Sequence, residues 1–226
     1  ASRGLGDVYK RQLIVLQGMD TSGKGGAIRH VLSTFDPQGT TTVGFGKPTE
    51  EELEHDFLWR IRKHDPQPGQ IVAFDRSHYE DVLIQRVHEW VDEEEVDRRI
   101  EAIRDYELDL TANGVKVIKI FLHLSKDAQK ENLLERTKRE DKFWKYDPAD
   151  VEERAYWDEY MAAYQDAIQR TDENYAPWYV IPTDNKKYAR MALKFLIVDL
   201  LRHLDLEWPA PDFDPDVERQ RIEDAF

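Results

Sequence analysis

A glycine-rich segment near the amino terminus carries the clearest chemical pattern in the chain. Residues 18–24 (GMDTSGK) fit the G-x4-G-K pattern of a phosphate-binding loop, with an apolar run before them and a helical pattern after them. Such a loop points backbone N–H groups at phosphate oxygens, and its lysine, here Lys24, reaches the terminal phosphates. The other predicted phosphate contacts of this segment are Gly18, Thr21, Ser22, Gly23, Gly25 and Gly26. The alternative is an ordinary glycine-rich turn between a strand and a helix.

The residue after Lys24 departs from the usual pattern. Gly25 stands where most phosphate loops place a Ser or Thr hydroxyl on the magnesium ion. Because magnesium still needs oxygen ligands, Asp20, inside the loop, is the natural substitute. The sequence therefore predicts an Mg²⁺ (or Mn²⁺) site on the carboxylate side of the loop.

A second candidate group follows the apolar run at residues 70–74 (QIVAF), which ends in Asp75 and Arg76. In phosphate-loop enzymes an acid at this place orients a metal ion or water, or accepts a hydroxyl proton. Since the carboxyl ends of parallel strands meet at one edge of a sheet, Asp20 and Asp75 should converge, and both are candidate metal ligands. Arg76 would neutralise charge on a transferred phosphoryl group. A capping Asp with a surface Arg is the alternative.

Polar residues continue after Arg76 at positions 77–81 (SHYED). No second His lies at metal-ligand spacing from His78, so we expect a solvated side chain at a helix start rather than a metal ligand. Glu80 and Asp81 suit the positive end of a helix. Their position beside the acidic strand end makes them candidate nucleotide contacts, together with Arg86; solvated helix-start positions are equally compatible with the pattern.

Residues 136–145 (RTKREDKFWK) contain five basic and two acidic residues, in a chain whose net charge is −14. They follow the fourth apolar run, where nucleotide-kinase-like enzymes carry a mobile lid that supplies cations and excludes water. We place the lid at about 136–150; a solvated helical hairpin is the alternative. The predicted phosphate contacts here are Arg136, Arg139, Lys142 and Lys145. Lys47, in the GFGKP segment, is either a further contact or a surface lysine.

The elements that must position these residues follow from apolar periodicity. Five short apolar runs lie at 13–17, 41–45, 70–74, 115–123 and 178–182. Helical patterns between them cover 24–34, 49–63, 92–113, 125–136, one long helix from 147, and 186–204. This alternation predicts a single three-layer α/β/α domain around a five-stranded parallel sheet. Residues 1–12 are expected to be a disordered or non-native leader, 13–208 the domain, and 209–226 a loosely packed tail.

Composition excludes several classes of protein. The chain has 226 residues and no cysteine, which excludes disulfides, cysteine-ligated zinc, iron–sulfur clusters and a thiol nucleophile. A net charge of −14 argues against general nucleic-acid binding, and no run approaches the roughly 20 apolar residues of a membrane span. We expect a cytoplasmic protein with no nucleic-acid or membrane partner.

Five motifs occur in order over about residues 13–209: LQGMDTSGKGG, FGKPTEEE, FDRSHYEDVL, FLHLSKDAQ and KFWKYDPADVEER. Together they resemble the polyphosphate kinase 2 family. The resemblance implies a thymidylate-kinase-like P-loop NTPase fold and phosphoryl transfer between inorganic polyphosphate and AMP, ADP or ATP, with Mg²⁺ or Mn²⁺. It implies that Asp20 and Asp75 are essential acids, that Lys24, Arg76, Arg136 and the lid lysines contact phosphate, and that the chain forms a homo-oligomer, a dimer or tetramer.

The segment SHYEDV is similar to class III of that family, whose members phosphorylate both AMP and ADP. Two departures accompany the resemblance. Many relatives have Asp where this chain has Gly25, so a different metal affinity is expected, and family members normally carry an N-terminal helical extension, whose loss would weaken assembly or activity. Two alternatives stay open: an ATP-dependent kinase of a nucleoside monophosphate or other small molecule, and a non-catalytic polyphosphate- or nucleotide-binding regulator.

Overall fold

The computed structural model describes residues 10–203 and 211–225. Within them the sheet has five strands: β1 (Arg11–Gln17), β2 (Thr40–Gly44), β3 (Ile71–Asp75), β4 (Val115–His123) and β5 (Trp178–Pro182). All pair in parallel, in the order β2-β3-β1-β4-β5. The five-stranded parallel sheet expected from the apolar runs is confirmed.

The helices of the described residues are α1 (Lys24–His30), α2 (Glu50–Leu53), α3 (Trp59–Arg62), α4 (Glu80–Val87), α5 (Glu93–Ala112), α6 (Lys126–Lys138), α7 (Ala149–Glu153), α8 (Trp157–Thr171), α9 (Lys186–Arg202) and α10 (Pro215–Asp224). Short 3₁₀ turns lie at Leu32–Thr34, Glu140–Lys145 and Arg154–Tyr156. No helix in these two ranges has the length and apolar character to cross a membrane.

Two apolar layers sandwich the sheet, which explains why its central strand is apolar at successive positions. Leu13 and Val15 of β1 belong to the core cluster that includes residues of α4, α5 and α8. The alternate residues Ile14 and Leu16 belong to the cluster that includes residues of α1 and α9. Because both faces of the strand are buried, apolar and polar residues do not alternate along it. The three-layer α/β/α architecture expected from the sequence is therefore confirmed.

The first strand starts earlier than expected. Arg11 pairs with Val115 of β4, and Gln12 pairs with Ile71 of β3. These two residues, assigned to the leader from sequence, belong to the sheet, because parallel neighbours on both sides take up their backbone hydrogen bonds. The rest of the expected leader, apart from Lys10, lies outside the described residues, as do residues 204–210 at the junction of the domain and the expected tail.

Three helices expected to be continuous are divided. The helix expected from 147 is α7, a 3₁₀ turn and α8, and the one expected at 24–34 ends at His30 before a 3₁₀ turn. The capping box of Thr49 and Glu52 is present, but α2 ends at Leu53. A turn at Asp56 then starts α3, so that Leu58 and Ile61 reach the core. Tertiary packing sets these breaks, and helix propensity alone does not show them.

Candidate active site

The sheet brings the candidate residues to one edge. β1 lies between β3 and β4, and the register pairs Leu16 of β1 with Asp75 of β3, and Gly44 of β2 with the same Asp75. The loops after β1, β2 and β3 therefore leave the sheet side by side. In open parallel sheets a ligand crevice forms at this edge, beside the strand where the connection changes direction.

The loop after β1 folds tightly around the lysine side chain. Gly18 has φ +149°, and a Cβ atom there would lie 2.6 Å from the Leu122 carbonyl oxygen and 2.7 Å from the Ser22 hydroxyl, so this position requires glycine. The Lys24 ammonium donates to the carbonyl oxygens of Gly18 (2.6 Å) and Met19 (3.3 Å). Burial lowers the pKa of Lys24, and the neighbouring Asp20 carboxylate opposes that shift. The ammonium is thus held within the loop, where phosphates would bind.

Asp20 and Arg76 form an ion pair across the end of β1. The Arg76 Nη2 donates to the Asp20 Oδ1 at 2.8 Å. Arg76 has φ +65°, a conformation that costs a non-glycine residue roughly 1–2 kcal/mol, and its N–H donates to the Leu16 carbonyl. Burial acts to raise the pKa of Asp20, but the charges of Lys24 and Arg76 outweigh it and hold the pKa below its usual range. Asp20 is therefore an ionised carboxylate at the mouth of the loop.

A buried polar network anchors the segment after Arg76. The Lys119 ammonium donates to the Glu107 carboxylate (2.6 Å) and the Thr171 carbonyl (2.6 Å), and the Tyr79 hydroxyl donates to the other Glu107 oxygen (2.9 Å). The expectation that His78 is solvated is wrong: its side chain is completely buried, with Nε2 3.3 Å from Glu107. Burial lowers the pKa of His78. The network thus fixes the chain directly behind the active-site arginine.

The structure separates Glu80 from Asp81. The pKa of Glu80 is raised by burial, and the nearby charges of Arg76 and Lys24 only partly oppose that shift. Asp81 is buried between Arg60 (3.6 Å) and Arg99 (3.7 Å), and burial raises its pKa to about 6. Those arginines hold the Asp81 carboxylate, and neither Glu80 nor Asp81 lines the cavity described below.

Arg86 and Arg139 also lie outside the cavity. Arg86 pairs with Glu93 and Asp166, each at 2.8 Å. Arg139 pairs with Asp141 (2.8 Å) and Glu135 (3.1 Å). Neither guanidinium group lines the cavity, because each is held by acidic partners: Glu93 and Asp166 for Arg86, and Asp141 and Glu135 for Arg139.

A cavity of about 770 Å³ opens over the phosphate loop. In the described part of the chain, eight Lys and Arg side chains and three carboxylates (Asp20, Asp75 and Glu135) line it. The cations are Lys24, Arg29, Arg76, Arg136, Lys142, Lys145, Lys186 and Arg190. Expected residues that also line it are Thr21, Ser22, Gly23, Gly25 and Gly26. Gly18 and Lys47 do not line it; Lys47 is exposed and follows the lining residue Gly46. The lining is strongly cationic although the whole chain is acidic.

The base of the lid is tied together by one arginine. Arg136 Nη1 donates to the Asp150 carboxylate (2.7 Å) and to the Lys145 carbonyl (2.8 Å). Lys142 donates to Glu135 at 2.6 Å. Burial, and then the charge of the nearby Asp20, raise the pKa of Asp150 to about 6.

Comparison with known proteins identifies the family to which this arrangement belongs. The model of the family described as polyphosphate kinase 2 (PPK2) matches residues 6–208. This chain belongs to the polyphosphate kinase 2 family. Membership makes it a phosphotransferase with a P-loop kinase fold, and the match begins within the segment expected to be a leader.

Individual family members support the same assignment. An AMP/ADP-polyphosphate phosphotransferase from Meiothermus ruber is 42% identical over 88% of this chain and 75% of its own length. An ADP-polyphosphate phosphotransferase from Rhodopseudomonas palustris is also 42% identical, over 87% of this chain and 72% of its own. The crystal structure of Polyphosphate Kinase 2 from Arthrobacter aurescens TC1 matches with a TM-score of 0.93 at 49% identity, covering 95% of this chain and 76% of that chain.

The oxygen donors of this PPK2 family member fit a divalent metal ion that arrives with phosphates. Asp20 and Asp75 line the cavity, and the Thr21 and Ser22 hydroxyls have no hydrogen-bond partner within residues 10–203 and 211–225. The same ranges contain no group of three or more His, Cys, Asp or Glu residues placed to hold a metal. Magnesium commonly takes one or two carboxylates and completes its shell with phosphate oxygens and water. The two carboxylates that line the cavity match that pattern.

Sequence reasoning missed three cations in this PPK2 cavity, namely Arg29, Lys186 and Arg190. A usable signal was present for two of them. Lys186 and Arg190 are four residues apart at the start of α9, so they share a helix face, and α9 begins just after β5 at the carboxyl edge of the sheet.

Proposed function

We propose that this protein transfers a phosphoryl group from inorganic polyphosphate to AMP and to ADP, giving ADP and ATP. The cationic lining of the cavity around Lys24 carries the proposal. A donor that is a bare chain of phosphates offers no base or ribose to bind, so its site must consist mainly of positive charge. Both relatives described above are named as polyphosphate phosphotransferases that act on ADP, and one of the names includes AMP.

The chain's own groups divide the work. Lys24 and the N–H groups of its loop bind the phosphates at the reacting end, and Arg76 neutralises the transferred group. Asp20 and Asp75 would hold Mg²⁺ or Mn²⁺, which supplies charge neutralisation when bound. The acceptor is a phosphate oxygen, whose second pKa of about 6 leaves it mostly ionised at pH 7, so no general base is required. Asp75 is therefore assigned to the metal rather than to proton removal.

The acceptor range is tested with AMP, excess long-chain polyphosphate and Mg²⁺. We expect ADP to rise first and ATP to follow, because a site that holds the reacting phosphate against Asp75 and Arg76 accepts nucleotides one phosphate longer or shorter. Chromatography at timed intervals measures both products. ADP without ATP, or inert AMP with reactive ADP, would contradict the dual-acceptor proposal. Phosphoryl transfer from ATP but not from polyphosphate would favour an ATP-dependent kinase. Binding of polyphosphate or nucleotide without phosphoryl transfer would favour a non-catalytic regulator.

Lid charge should govern use of the phosphate donor. Lys142 and Lys145 line the cavity, so Lys142→Ala combined with Lys145→Ala should raise the apparent KM for polyphosphate about tenfold, the effect of losing roughly 1.4 kcal/mol of charge-assisted contact. The apparent KM for ADP should change less. Steady-state kinetics of each substrate measures this, with Arg139→Ala, which removes a lid cation outside the cavity, as the control. An unchanged KM for polyphosphate would contradict the proposed role of the lid.

Assembly as a homo-oligomer and a cytoplasmic location stay predictions. Met191 and Phe195 on α9 are 52% and 70% exposed, and exposed apolar side chains on one helix support an interface between chains. Sedimentation equilibrium of the purified protein tests the first prediction, and a mass equal to one chain would contradict it.

A further inference from the structure

Side chains of α6 hold part of the phosphate-loop backbone. Lys24 accounts for the first two carbonyl oxygens of the loop. The next two accept from amides of α6: Gln129 Nε2 donates to the Asp20 carbonyl (3.3 Å), and Asn132 Nδ2 donates to the Thr21 carbonyl (3.4 Å). A loop that points its N–H groups at a ligand turns its carbonyl oxygens elsewhere, and each buried carbonyl then needs a donor. The two amides are therefore part of what keeps the loop in shape.

The loop backbone is strained where these amides contact it. Thr21 has φ +66°, a left-handed conformation that a β-branched residue rarely adopts. Such a conformation persists only where the surrounding contacts outweigh its cost. The donors from α6 are among those contacts, so the loop should respond when they are lost.

Gln129 also contacts the segment that leads back from the lid to α8. This return segment consists of α7 and the 3₁₀ turn after it, residues 149–156. From it, Arg154 Nη1 donates to the Gln129 Oε1 (2.9 Å) and to the Lys126 carbonyl at the start of α6 (2.6 Å). Because a guanidinium group can only donate, it requires the amide oxygen of Gln129 and leaves the amide N–H group for the Asp20 carbonyl.

The chemistry of this position requires a carboxamide. Gln129 is 1% exposed, and it must accept at one end and donate at the other. A carboxylate of the same length can accept from Arg154 but has no proton to donate to a carbonyl, and an ammonium can donate but not accept. Neither Gln129 nor Arg154 lines the cavity, so the pair acts behind Asp20.

We propose that Gln129 is a positioning residue for phosphoryl transfer, which links the return segment of the lid, through Arg154, to the backbone of Asp20. The inference rests on the proposed function, since Asp20 is the carboxylate assigned there to the metal ion. When Arg154 moves with the return segment, the Gln129 amide loses its orientation and the Asp20 carbonyl loses its donor. Because a misplacement of about 1 Å at the reacting groups lowers the rate of transfer strongly, kcat should respond more than KM.

The experiment compares Gln129→Glu and Arg154→Met with two controls. Gln129→Glu keeps the acceptor for Arg154 and removes the donor to Asp20. Arg154→Met removes the guanidinium group from a partly exposed side chain and tests the same link if the buried change impairs folding. The controls are Gln165→Glu on α8 and Arg98→Met on α5, both exposed and outside the cavity lining.

Three measurements are made on each protein. Steady-state kinetics gives kcat and the apparent KM for polyphosphate and for ADP. Hydrogen exchange followed by mass spectrometry, without substrate, gives the exchange rate of the amides at residues 18–26. Circular dichroism melting sets an assay temperature at which every variant is folded.

We expect Gln129→Glu and Arg154→Met to lower kcat at least about tenfold and to change each KM by less than about threefold. Amides of residues 18–26 should exchange at least about threefold faster in both variants, although Arg154 makes no contact with that segment among the printed hydrogen bonds of the described residues. Both controls should match wild type in kinetics and exchange.

A double-variant cycle separates positioning from a general structural role. Because Gln129 acts through Asp20, adding Gln129→Glu to Asp20→Asn should lower kcat by less than about threefold, against at least about tenfold in the wild-type background. An independent structural role would lower kcat by the same factor in both backgrounds, and that result would overturn the inference.

Two further results would also overturn it. Unchanged exchange at residues 18–26 in Arg154→Met would remove the link to the lid. A raised KM with an unchanged kcat in Gln129→Glu would assign the residue to substrate binding. The proposed function fails separately, if wild type transfers no phosphate from polyphosphate to AMP or ADP, and the exchange rates then still decide whether Arg154 and Gln129 hold the loop.

Discussion

Replacing Asp20 by Asn should lower turnover at least about 100-fold while leaving the fold intact, because it removes the charge proposed to hold the metal ion and keeps the shape of the side chain. The remaining amide oxygen can still accept from Arg76, so the ion pair is lost but a hydrogen bond remains. Asp75→Asn should have an effect of similar size, since Asp75 lines the same cavity. The measurement is kcat with polyphosphate and ADP at saturating Mg²⁺, together with the melting temperature.

Asp105→Asn is the matched control, because Asp105 is an exposed acid on α5 that does not line the cavity, and its kcat should equal that of wild type. A wild-type kcat in the Asp20 or Asp75 variant would remove that residue from the proposed catalytic group. A melting temperature well below that of wild type would instead show that the carboxylate acts mainly in folding.

The largest effect on stability should come from Lys119→Met. Lys119 is fully buried and holds Glu107 at 2.6 Å, so its removal leaves an uncompensated carboxylate in the core. Breaking a buried pair in this way costs about 3–5 kcal/mol. For a domain of this size each kcal/mol lowers Tm by about 2–4 °C, so a decrease of about 10 °C is expected. Thermal unfolding followed by circular dichroism measures it.

Adding Glu107→Gln to Lys119→Met should recover part of the lost stability, since the double variant has no unpaired charge in the network. Lys116→Met, on the same strand but partly exposed, is the control and should change stability by less than about 1 kcal/mol. A double variant no more stable than Lys119→Met would contradict the explanation by an unpaired carboxylate.

Local patterns predicted the strands and the phosphate loop, because each depends on neighbouring residues. The run at 13–17 shows a strand buried on both faces, and the spacing of Gly18, Gly23 and Lys24 shows the loop. The surroundings of Asp81 were not predictable in this way. Its partners Arg60 and Arg99 lie 21 and 18 positions away along the chain, and only the packing of α3, α4 and α5 brings them together.

The same limit explains the other differences. His78 is polar, yet Glu107 on α5 gives it a buried partner, and nothing within a few residues of His78 indicates that contact. Arg29 has the spacing of an ordinary surface residue on α1, and it becomes part of the site only because α9 packs beside α1. Sequence therefore shows which residues can do chemistry, while the packing of the helices decides which of them meet.

The ion pairs at the lid have a consequence for how fast the protein can work. Arg136 already holds Asp150, and Lys142 already holds Glu135. A phosphate that binds these two cations replaces one anion by another, so the net gain is the difference between two similar interactions rather than the whole of one. When the phosphate leaves, the Asp150 and Glu135 carboxylates can pair with the two cations again. If the lid binds phosphate as proposed, this competition between carboxylates and phosphate would speed the release of a highly charged donor between one transfer and the next.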